Sequence, residues 1–231
     1  MGLERTLVEL GPRSYTVFVG DGLLGGAGEL LVEDGWRRAL VVTDDNVGPL
    51  YGDTVTRGLR RAGLEVASIS IEPGEGSKSV HKAFELLDFL TGSGMRRADL
   101  LVALGGGVVG DLAGFVASVY KRGVPVLQVP TTLMSQVDSS IGGKTGVNLP
   151  RGKNLVGTFH QPVAVICDVD TLRTLPKREY TSGLAEVAKY SFLRPELWPV
   201  PLAESADLLR ELDKEELATV VNLCAGIKAR I

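Results

Sequence analysis

One segment of the chain limits its fold more than any other: an apolar strand that runs directly into three glycines. Asp99–Leu104 is apolar without a break after its first residue, the pattern of a strand buried on both faces of a parallel sheet. Gly105-Gly106-Gly107 follows at once, and a helix is predicted from there to about Tyr120. Because such a strand needs helices on both sides of its sheet, the segment predicts a βαβ architecture.

The rest of the chain supports that architecture. Strand patterns occur at Thr6–Leu10, Ser14–Val19, Ala39–Thr43, Glu65–Ile71, Val124–Val129 and Val163–Cys167, the first two joined as a hairpin by Gly11-Pro12-Arg13. Helical patterns occur at Pro49–Ala62, from an N-cap at Ser77 to about Leu90, and at Tyr180–Phe192, Leu202–Leu212 and Lys214–Ile231. Past Leu175-Pro176 the patterns are helical only. The sequence therefore predicts a Rossmann-like parallel-sheet α/β domain over residues 1–174 and the start of an α-helical domain over residues 175–231.

Composition excludes several classes of partner. The net charge of −3 comes from 28 acidic and 25 basic residues scattered along 231 positions, whereas nucleic-acid binding needs a basic face. The two cysteines, Cys167 and Cys224, are typical of reduced cytoplasmic thiols. The start of the chain shows no apolar signal segment, and the weakly polar run Leu100–Gly110 is too short to cross a bilayer. We therefore expect a cytoplasmic protein without a membrane or nucleic-acid partner.

The glycine turn is a candidate phosphate site. Gly105, Gly107 and Gly110 satisfy the G-x-G-x-x-G spacing between a strand and a helix, where bare backbone N–H groups and the helix dipole favour a pyrophosphate. In the common dinucleotide fold an acidic residue follows about 20 positions later, but here Pro130 stands near that position. An acid for the ribose must come from elsewhere, and a tight turn that binds nothing remains the alternative. Asp111 fits either a dipole-neutralising role or a cofactor contact.

A second candidate site lies between Pro130 and Asn154. Paired threonines end a predicted strand, the place where open α/β sheets bind ligands. A long glycine-rich loop is predicted to follow, and its polar residues suit an anionic, oxygen-rich ligand. Those residues are Asp138, Ser139, Ser140, Lys144, Asn148, Lys153 and Asn154. The alternative is an ordinary solvated loop, although the apolar residues in between indicate packing.

Four long blocks, taken in order, resemble a known enzyme family. They read GGGVVGDLAGFVASVYKRG, VPTTLMSQVDSSIGGKTGVN, GKNLVGTFHQP and SGLAEVAKY. The chain resembles 3-dehydroquinate synthase of the sugar-phosphate cyclase superfamily, and TDDN and EPGEGSK fit that family's cofactor segments. The resemblance implies conversion of 3-deoxy-D-arabino-heptulosonate 7-phosphate to 3-dehydroquinate and phosphate in the shikimate pathway. It also implies catalytic NAD, zinc or cobalt, a small anionic sugar-acid phosphate as substrate, and a homodimer.

The resemblance also implies roles for individual residues. The expected NAD-binding positions are Asp44, Asn46, Glu75, Lys78, Gly106, Gly107, Asp111, Thr131, Thr132, Lys144, Lys153, Thr171, Leu172, Arg173 and Thr174. The expected catalytic and substrate-binding positions are Arg122, Asp138, Lys144, Asn154 and Lys189. Asp44 would supply the ribose acid that is absent after the glycine turn, and Glu186 would be the first zinc ligand.

The metal half of the resemblance is incomplete. The family holds its metal with one glutamate and two histidines, but this chain has only His81 and His160. We expect His81 on a helix surface and His160 in a packing role, and Glu186 could equally be a surface acid. A catalytic zinc normally has three protein ligands, so the sequence looks like a truncated N-terminal portion whose own activity is doubtful. A degenerate NAD-binding or regulatory paralogue and another sugar-phosphate cyclase are the alternatives.

Overall fold

The computed structural model describes residues 2–198 and 202–230. Its seven-stranded sheet has the order β1-β2-β9-β6-β5-β3-β4, and a separate two-stranded sheet pairs β7 with β8. The strands are β1 (Glu4–Val8), β2 (Tyr15–Gly20), β3 (Arg38–Asp44), β4 (Glu65–Ile71), β5 (Leu100–Gly105), β6 (Val126–Pro130), β7 (Lys144–Leu149), β8 (Gly152–Phe159) and β9 (Ala164–Asp168). In the large sheet β1 and β2 are antiparallel, and every other neighbouring pair is parallel.

Helices cover the sheet. The α-helices are α1 (Asp53–Arg61), α2 (Val80–Gly92), α3 (Gly107–Val119), α4 (Lys177–Leu193), α5 (Ala206–Arg210) and α6 (Lys214–Lys228). Two short π-helices occupy Gly48–Gly52 and Ser135–Ser139, and 3-10 turns include Glu75–Ser77 and Val169–Thr174. Within the two described ranges, none of the helices combines the length and the apolar character that a membrane span requires. The predicted α/β class with a parallel sheet is confirmed.

Strand β5 lies at the centre of this arrangement. All six of its residues are buried, and it pairs with β3 on one side and β6 on the other. Alternate residues of β5 fall into two core clusters, with Leu101 and Ala103 in one and Leu100, Val102 and Leu104 in the other, as the period of two requires. Because β3, β5, β6 and β9 run parallel, their carboxyl ends meet at one edge of the sheet.

Two local expectations were wrong. Helix α2 is capped by Ser79, whose Oγ accepts the Lys82 N–H at 3.2 Å, and not by Ser77, which ends a 3-10 turn. The predicted loop from 130 to 154 instead contains the π-helix Ser135–Ser139, all of β7 and the start of β8. Its two strands pack without side chains at Gly157, where a Cβ would lie 2.1 Å from the carbonyl oxygen of Thr145. Glycine-rich strands carry a weak β-pattern, which is why the alternation was not visible in the sequence.

The helices after residue 175 share a hydrophobic core with the sheet. Buried residues of α6 such as Val221 and Cys224 belong to the same cluster as Val17 and Val19 of β2. The same cluster includes Tyr190 of α4. The predicted division into two domains near residue 175 stays a prediction.

Candidate functional site

Strand β3 ends in an ordered acidic residue. Asp44 is the last residue of β3, and its Oδ1 accepts N–H bonds from Asn46 and Val47, both at 2.9 Å. Asn46 is exposed beside it. The buried hydroxyl of Thr43 comes just before Asp44, and it has no hydrogen-bond partner among the residues that the structure describes. This strand end therefore presents a fixed carboxylate and a hydroxyl at the edge where β5 also ends.

The glycine turn joins β5 to α3 without room for side chains. A Cβ at Gly105 would lie 2.7 Å from Val109 Cγ2, and one at Gly106 would lie 3.0 Å from Thr132 Cγ2. A Cβ at Gly107, the first residue of α3, would lie 3.1 Å from Ser139 Oγ. The backbone N–H groups at the start of α3 are therefore uncovered by any side chain of the turn itself, which is the geometry that anions use.

Threonines line the neighbouring strand ends. Thr131 is buried after β6, and within the described ranges its hydroxyl has no hydrogen-bond partner. Thr132 Oγ1 lies 2.8 Å from Ser135 Oγ and accepts the backbone N–H of Ser135 at 3.2 Å. Beyond β9, Thr171 donates to the Asp168 carbonyl at 2.7 Å and Thr174 Oγ1 lies 2.5 Å from the Tyr51 hydroxyl. In the same turn, Leu172 is buried and Arg173 pairs with Asp170 at 3.4 Å.

Lys78 connects the glycine turn to the hairpin of β7 and β8. It is only 5% exposed, and its ammonium pairs with Asp111 of α3 and lies 2.5 Å from Asn154 Oδ1 on β8. Burial raises the pKa of Asp111 above its usual range, and the hydrogen bond and charge of Lys78 act against that rise. Asn154 itself has a left-handed backbone with φ +56°. The structure thus brings Lys78, Asp111 and Asn154 together although they are far apart in the sequence.

Glu75 joins the same hairpin from the other side. Its Oε1 accepts the Asn148 side-chain N–H at 2.6 Å and lies 3.7 Å from the Lys153 ammonium. The backbone N–H of Asn148 donates to the Lys78 carbonyl at 2.8 Å. The segment from Glu75 to Lys78 therefore holds β7 and β8 against the body of the domain.

A cavity of about 510 Å³ lies between α3, the π-helix, the hairpin and α6. Its lining combines acids, bases, an amide and hydroxyls with apolar walls. The lining residues are Asp111, Asp138, Ser139, Ile141, Lys144, Thr145, Gly146, Asn154, Leu155, Gly157, Thr158, Phe159 and Lys228. Three of the expected substrate residues, Asp138, Lys144 and Asn154, therefore meet in one cavity. A cavity that is lined by charges of both signs and by apolar side chains is suited to a small, highly oxygenated anion.

Asp138 is held by two donors. Tyr190 of α4 donates to Asp138 Oδ1 at 2.6 Å, and the Lys228 ammonium of α6 donates to the same oxygen at 2.7 Å. Burial acts to raise the pKa of Asp138, but these two hydrogen bonds together with the charges of Lys228 and Lys189 outweigh it and hold the pKa below its usual range. The carboxylate is therefore ionised and oriented inside the cavity.

Arg122, Lys189 and Glu186 lie outside the cavity lining. Arg122 is an exposed residue just after α3. Lys189 forms an ion pair with Glu186 one helical turn earlier on α4. Within residues 2–198 and 202–230, no three His, Cys, Asp or Glu side chains converge as metal ligands. His81 is exposed and pairs with Glu85 at 3.1 Å, and His160 Nε2 lies 2.9 Å from the Val124 carbonyl oxygen. His81 therefore lies on the surface of α2, and His160 contacts the backbone at Val124.

Sequence reasoning missed two residues of this region, Tyr190 and Lys228. It named Asn148 as a candidate ligand contact, but not its contacts with Glu75 and Lys78. Lys228 carried one weak signal, because it is a cation in a helix whose neighbours Cys224, Ala225 and Ile227 are all buried. A lysine in such a setting usually has a buried partner. Nothing in the sequence showed that this partner is Asp138.

Comparison with known proteins shows which family the chain belongs to. The model of the 3-dehydroquinate synthase N-terminal region matches residues 68–182. The 3-dehydroquinate synthase of Geobacter metallireducens is 47% identical over 99% of this chain and 64% of its own length. That of Symbiobacterium thermophilum is 53% identical over 82% of this chain and 53% of its own length. The chain belongs to the 3-dehydroquinate synthase family. It spans between about half and two thirds of the length of these curated relatives.

Two solved structures share the fold of this member of the 3-dehydroquinate synthase family. The 2-deoxy-scyllo-inosose synthase complexed with carbaglucose-6-phosphate, NAD+ and Co2+ has a TM-score of 0.85 at 24% identity, over 99% of this chain and 62% of its own. The 2-epi-5-epi-valiolone synthase of Streptomyces hygroscopicus subsp. jinggangensis, with NAD+ and Zn2+ bound, has a TM-score of 0.79 at 31% identity, over 96% of this chain and 61% of its own.

Proposed function

We propose that this chain forms the nucleotide site and much of the substrate site of an enzyme that converts 3-deoxy-D-arabino-heptulosonate 7-phosphate to 3-dehydroquinate and phosphate. The observation that carries the proposal is the cavity in which Asp138, Lys144, Asn154 and Lys228 meet beside the start of α3. Family membership at 47% identity over almost the whole chain supports the same reaction. A homodimer in the cytoplasm is part of this proposal.

NAD fits the strand ends of this structure. The glycine turn leaves the first N–H groups of α3 uncovered. Near it are the buried hydroxyls of Thr43 and Thr131, which have no hydrogen-bond partner in the described part of the chain. The carboxylate of Asp44, at the end of β3, would accept a hydrogen bond from a ribose hydroxyl. The remaining expected cofactor contacts are Asn46, Glu75, Lys78, Gly106, Gly107, Asp111, Thr132, Lys144, Lys153 and Thr171 to Thr174. When bound, NAD supplies reversible hydride transfer, while the protein orients the sugar ring.

The cavity residues suit a substrate with a carboxylate and a phosphate. Lys144 and Lys228 provide two cations in its lining, and Asn154 provides an amide that can donate to an oxygen. Asp138 is acceptor-only when ionised, so it would bind and orient a ring hydroxyl rather than an anionic group. Leu155 and Phe159 supply the apolar part of the lining. Arg122 and Lys189 are not part of this lining, so they would contact the substrate only where it extends beyond the cavity.

Zinc or cobalt does not fit the described residues by themselves. Glu186 is the one expected ligand, and it is paired with Lys189 rather than with further acids or imidazoles. This observation favours a second candidate function, an NAD-binding protein without catalysis. Both candidates predict NAD binding, and they differ in whether the sugar phosphate is recognised.

The two candidates are separated by titrating NAD into the protein and then titrating substrate into the NAD complex. We expect saturable NAD binding that Gly107→Ala weakens at least about tenfold, because a methyl group would be added beside the uncovered N–H groups at the start of α3, 3.1 Å from Ser139 Oγ. Gly92→Ala is the matched control, since a Cβ there meets nothing within 4 Å.

In the NAD complex, 3-deoxy-D-arabino-heptulosonate 7-phosphate should bind more tightly than glucose 6-phosphate or sedoheptulose 7-phosphate. Tighter binding of glucose 6-phosphate or sedoheptulose 7-phosphate would point to another cyclase. Failure of all three to bind, with NAD binding intact, would favour the nucleotide-binding candidate.

A further inference from the structure

Tyr190 is a buried tyrosine whose hydroxyl points to the cavity acid. It is 1% exposed and belongs to the same core cluster as Val137, the residue just before Asp138. Its hydroxyl donates to Asp138 Oδ1 at 2.6 Å. Burying a phenol O–H is unfavourable unless it forms a hydrogen bond. Here the acceptor is Asp138, a residue of the cavity lining.

The helix that carries Tyr190 is fixed against the segment that carries Asp138. A Cβ on Gly183 of α4 would lie 2.6 Å from Leu133 Cβ and 2.9 Å from the backbone N of Met134. This close approach sets the position of α4 relative to the π-helix Ser135–Ser139 that follows. Tyr190 therefore reaches Asp138 from a rigid base.

Both recorded hydrogen bonds to Asp138 fall on one oxygen. Tyr190 and Lys228 share Oδ1 as acceptor, whereas a carboxylate has two oxygens with about four lone-pair sites. From this geometry we infer that Tyr190 is a positioning residue: its hydroxyl fixes Oδ1 so that Oδ2 of Asp138 is available to a ligand hydroxyl in the cavity. The identity of that ligand rests on the proposed function, and the coupling of Tyr190 to Asp138 rests on the contacts alone.

Other charged groups around Asp138 would also influence it. Lys228 and Cys224 face it from α6, Lys189 from α4 and Asp111 from α3. Tyr190 differs from these groups because it is a neutral donor. Its removal changes the orientation and hydrogen bonding of the carboxylate without changing the charge of the site.

The test compares Tyr190→Phe with Tyr180→Phe in the full chain. Tyr180 lies on the same helix and is also largely buried, but its hydroxyl donates to the Leu209 carbonyl at 2.7 Å, away from the cavity. The first measurement is the carboxyl titration of Asp138 by carbon NMR, assigned with Asp138→Asn. The second is the affinity of the NAD complex for 3-deoxy-D-arabino-heptulosonate 7-phosphate.

We expect Tyr190→Phe to raise the pKa of Asp138 and to weaken sugar-phosphate binding about tenfold, the effect of one charge-assisted hydrogen bond. Tyr180→Phe should change neither quantity, and Tyr190→Phe should have no further effect on affinity in the Asp138→Asn background. Equal behaviour of the two Phe variants in the titration would overturn the inference. If Tyr190→Phe raises the pKa of Asp138 as expected but the parent protein binds no sugar phosphate, the proposed function is overturned and the Tyr190–Asp138 coupling stands.

Discussion

The contact between α3 and the hairpin can be tested at a single glycine. Gly114 is a buried residue of α3, and a Cβ added there would lie 2.5 Å from Thr145 Cγ2 on β7. Thr145 cannot rotate away easily, because its Oγ1 donates to the Thr158 carbonyl at 3.0 Å and lies 2.9 Å from the Thr158 hydroxyl. Its branched Cβ restricts χ1 further. The substitution Gly114→Ala must therefore push β7 away from α3.

Two opposing effects decide the result. Alanine is more favourable than glycine within a helix by about 1 kcal/mol, which alone would stabilise the protein. Ordinary carbon contacts begin near 3.5 Å, so the 2.5 Å approach to Thr145 requires a displacement of about 1 Å. Overpacking of this kind costs about 1–3 kcal/mol. We expect Gly114→Ala to lower the free energy of unfolding by about 1 kcal/mol.

Urea unfolding followed by circular dichroism measures this change. Gly92→Ala, at the exposed end of α2, is the control for helix propensity alone and should be neutral or slightly stabilising. Adding Thr145→Ser removes the Cγ2 but keeps the hydroxyl, so the double variant Gly114→Ala/Thr145→Ser should recover most of the lost stability. A Gly114→Ala protein as stable as the parent would refute the argument from close packing.

Two further predictions concern charges in the site. Lys78→Met leaves Asp111 without its cation and should lower the free energy of unfolding by roughly 3 kcal/mol in urea titrations. Adding Asp111→Asn should restore much of this lost stability. The control is Lys82→Met, which breaks a more exposed ion pair and should lower the free energy of unfolding by less than about 1 kcal/mol. Asp138 has a lowered folded-state pKa, so its contribution to stability is present above about pH 4 and is lost as the pH falls through that lower value. The stability difference between the parent and Asp138→Asn should shrink on acidification, and a constant difference from pH 6 to pH 2 would contradict this sign.

Much of the fold could be predicted from the sequence, because parallel strands that are buried on both faces have continuous apolar sequences. The prediction of a strand at Glu65–Ile71 agrees with β4 to the residue, and Asp99–Leu104 differs from β5 by one residue at each end. The positions of Asp44, Thr131 and the glycine turn at one edge of the sheet follow from the parallel direction of those strands. The hairpin of β7 and β8 was not readable, since its glycines replace the side chains that mark a strand.

The sequence by itself determined the class of the protein, the edge of the sheet where the candidate site lies and the family to which its motifs belong. Only the tertiary structure decided which charges meet. Lys228 and Asp138 are 90 positions apart, and their contact exists because α6 packs its apolar face on the sheet beside the π-helix. The pairing of Lys78 with Asp111 and the reach of Tyr190 to Asp138 have the same origin, since local patterns record burial and turn preferences but not the partner across the core. The apolar strand that runs into three glycines therefore located the site, and the packing of helices around it determined how its charges are arranged.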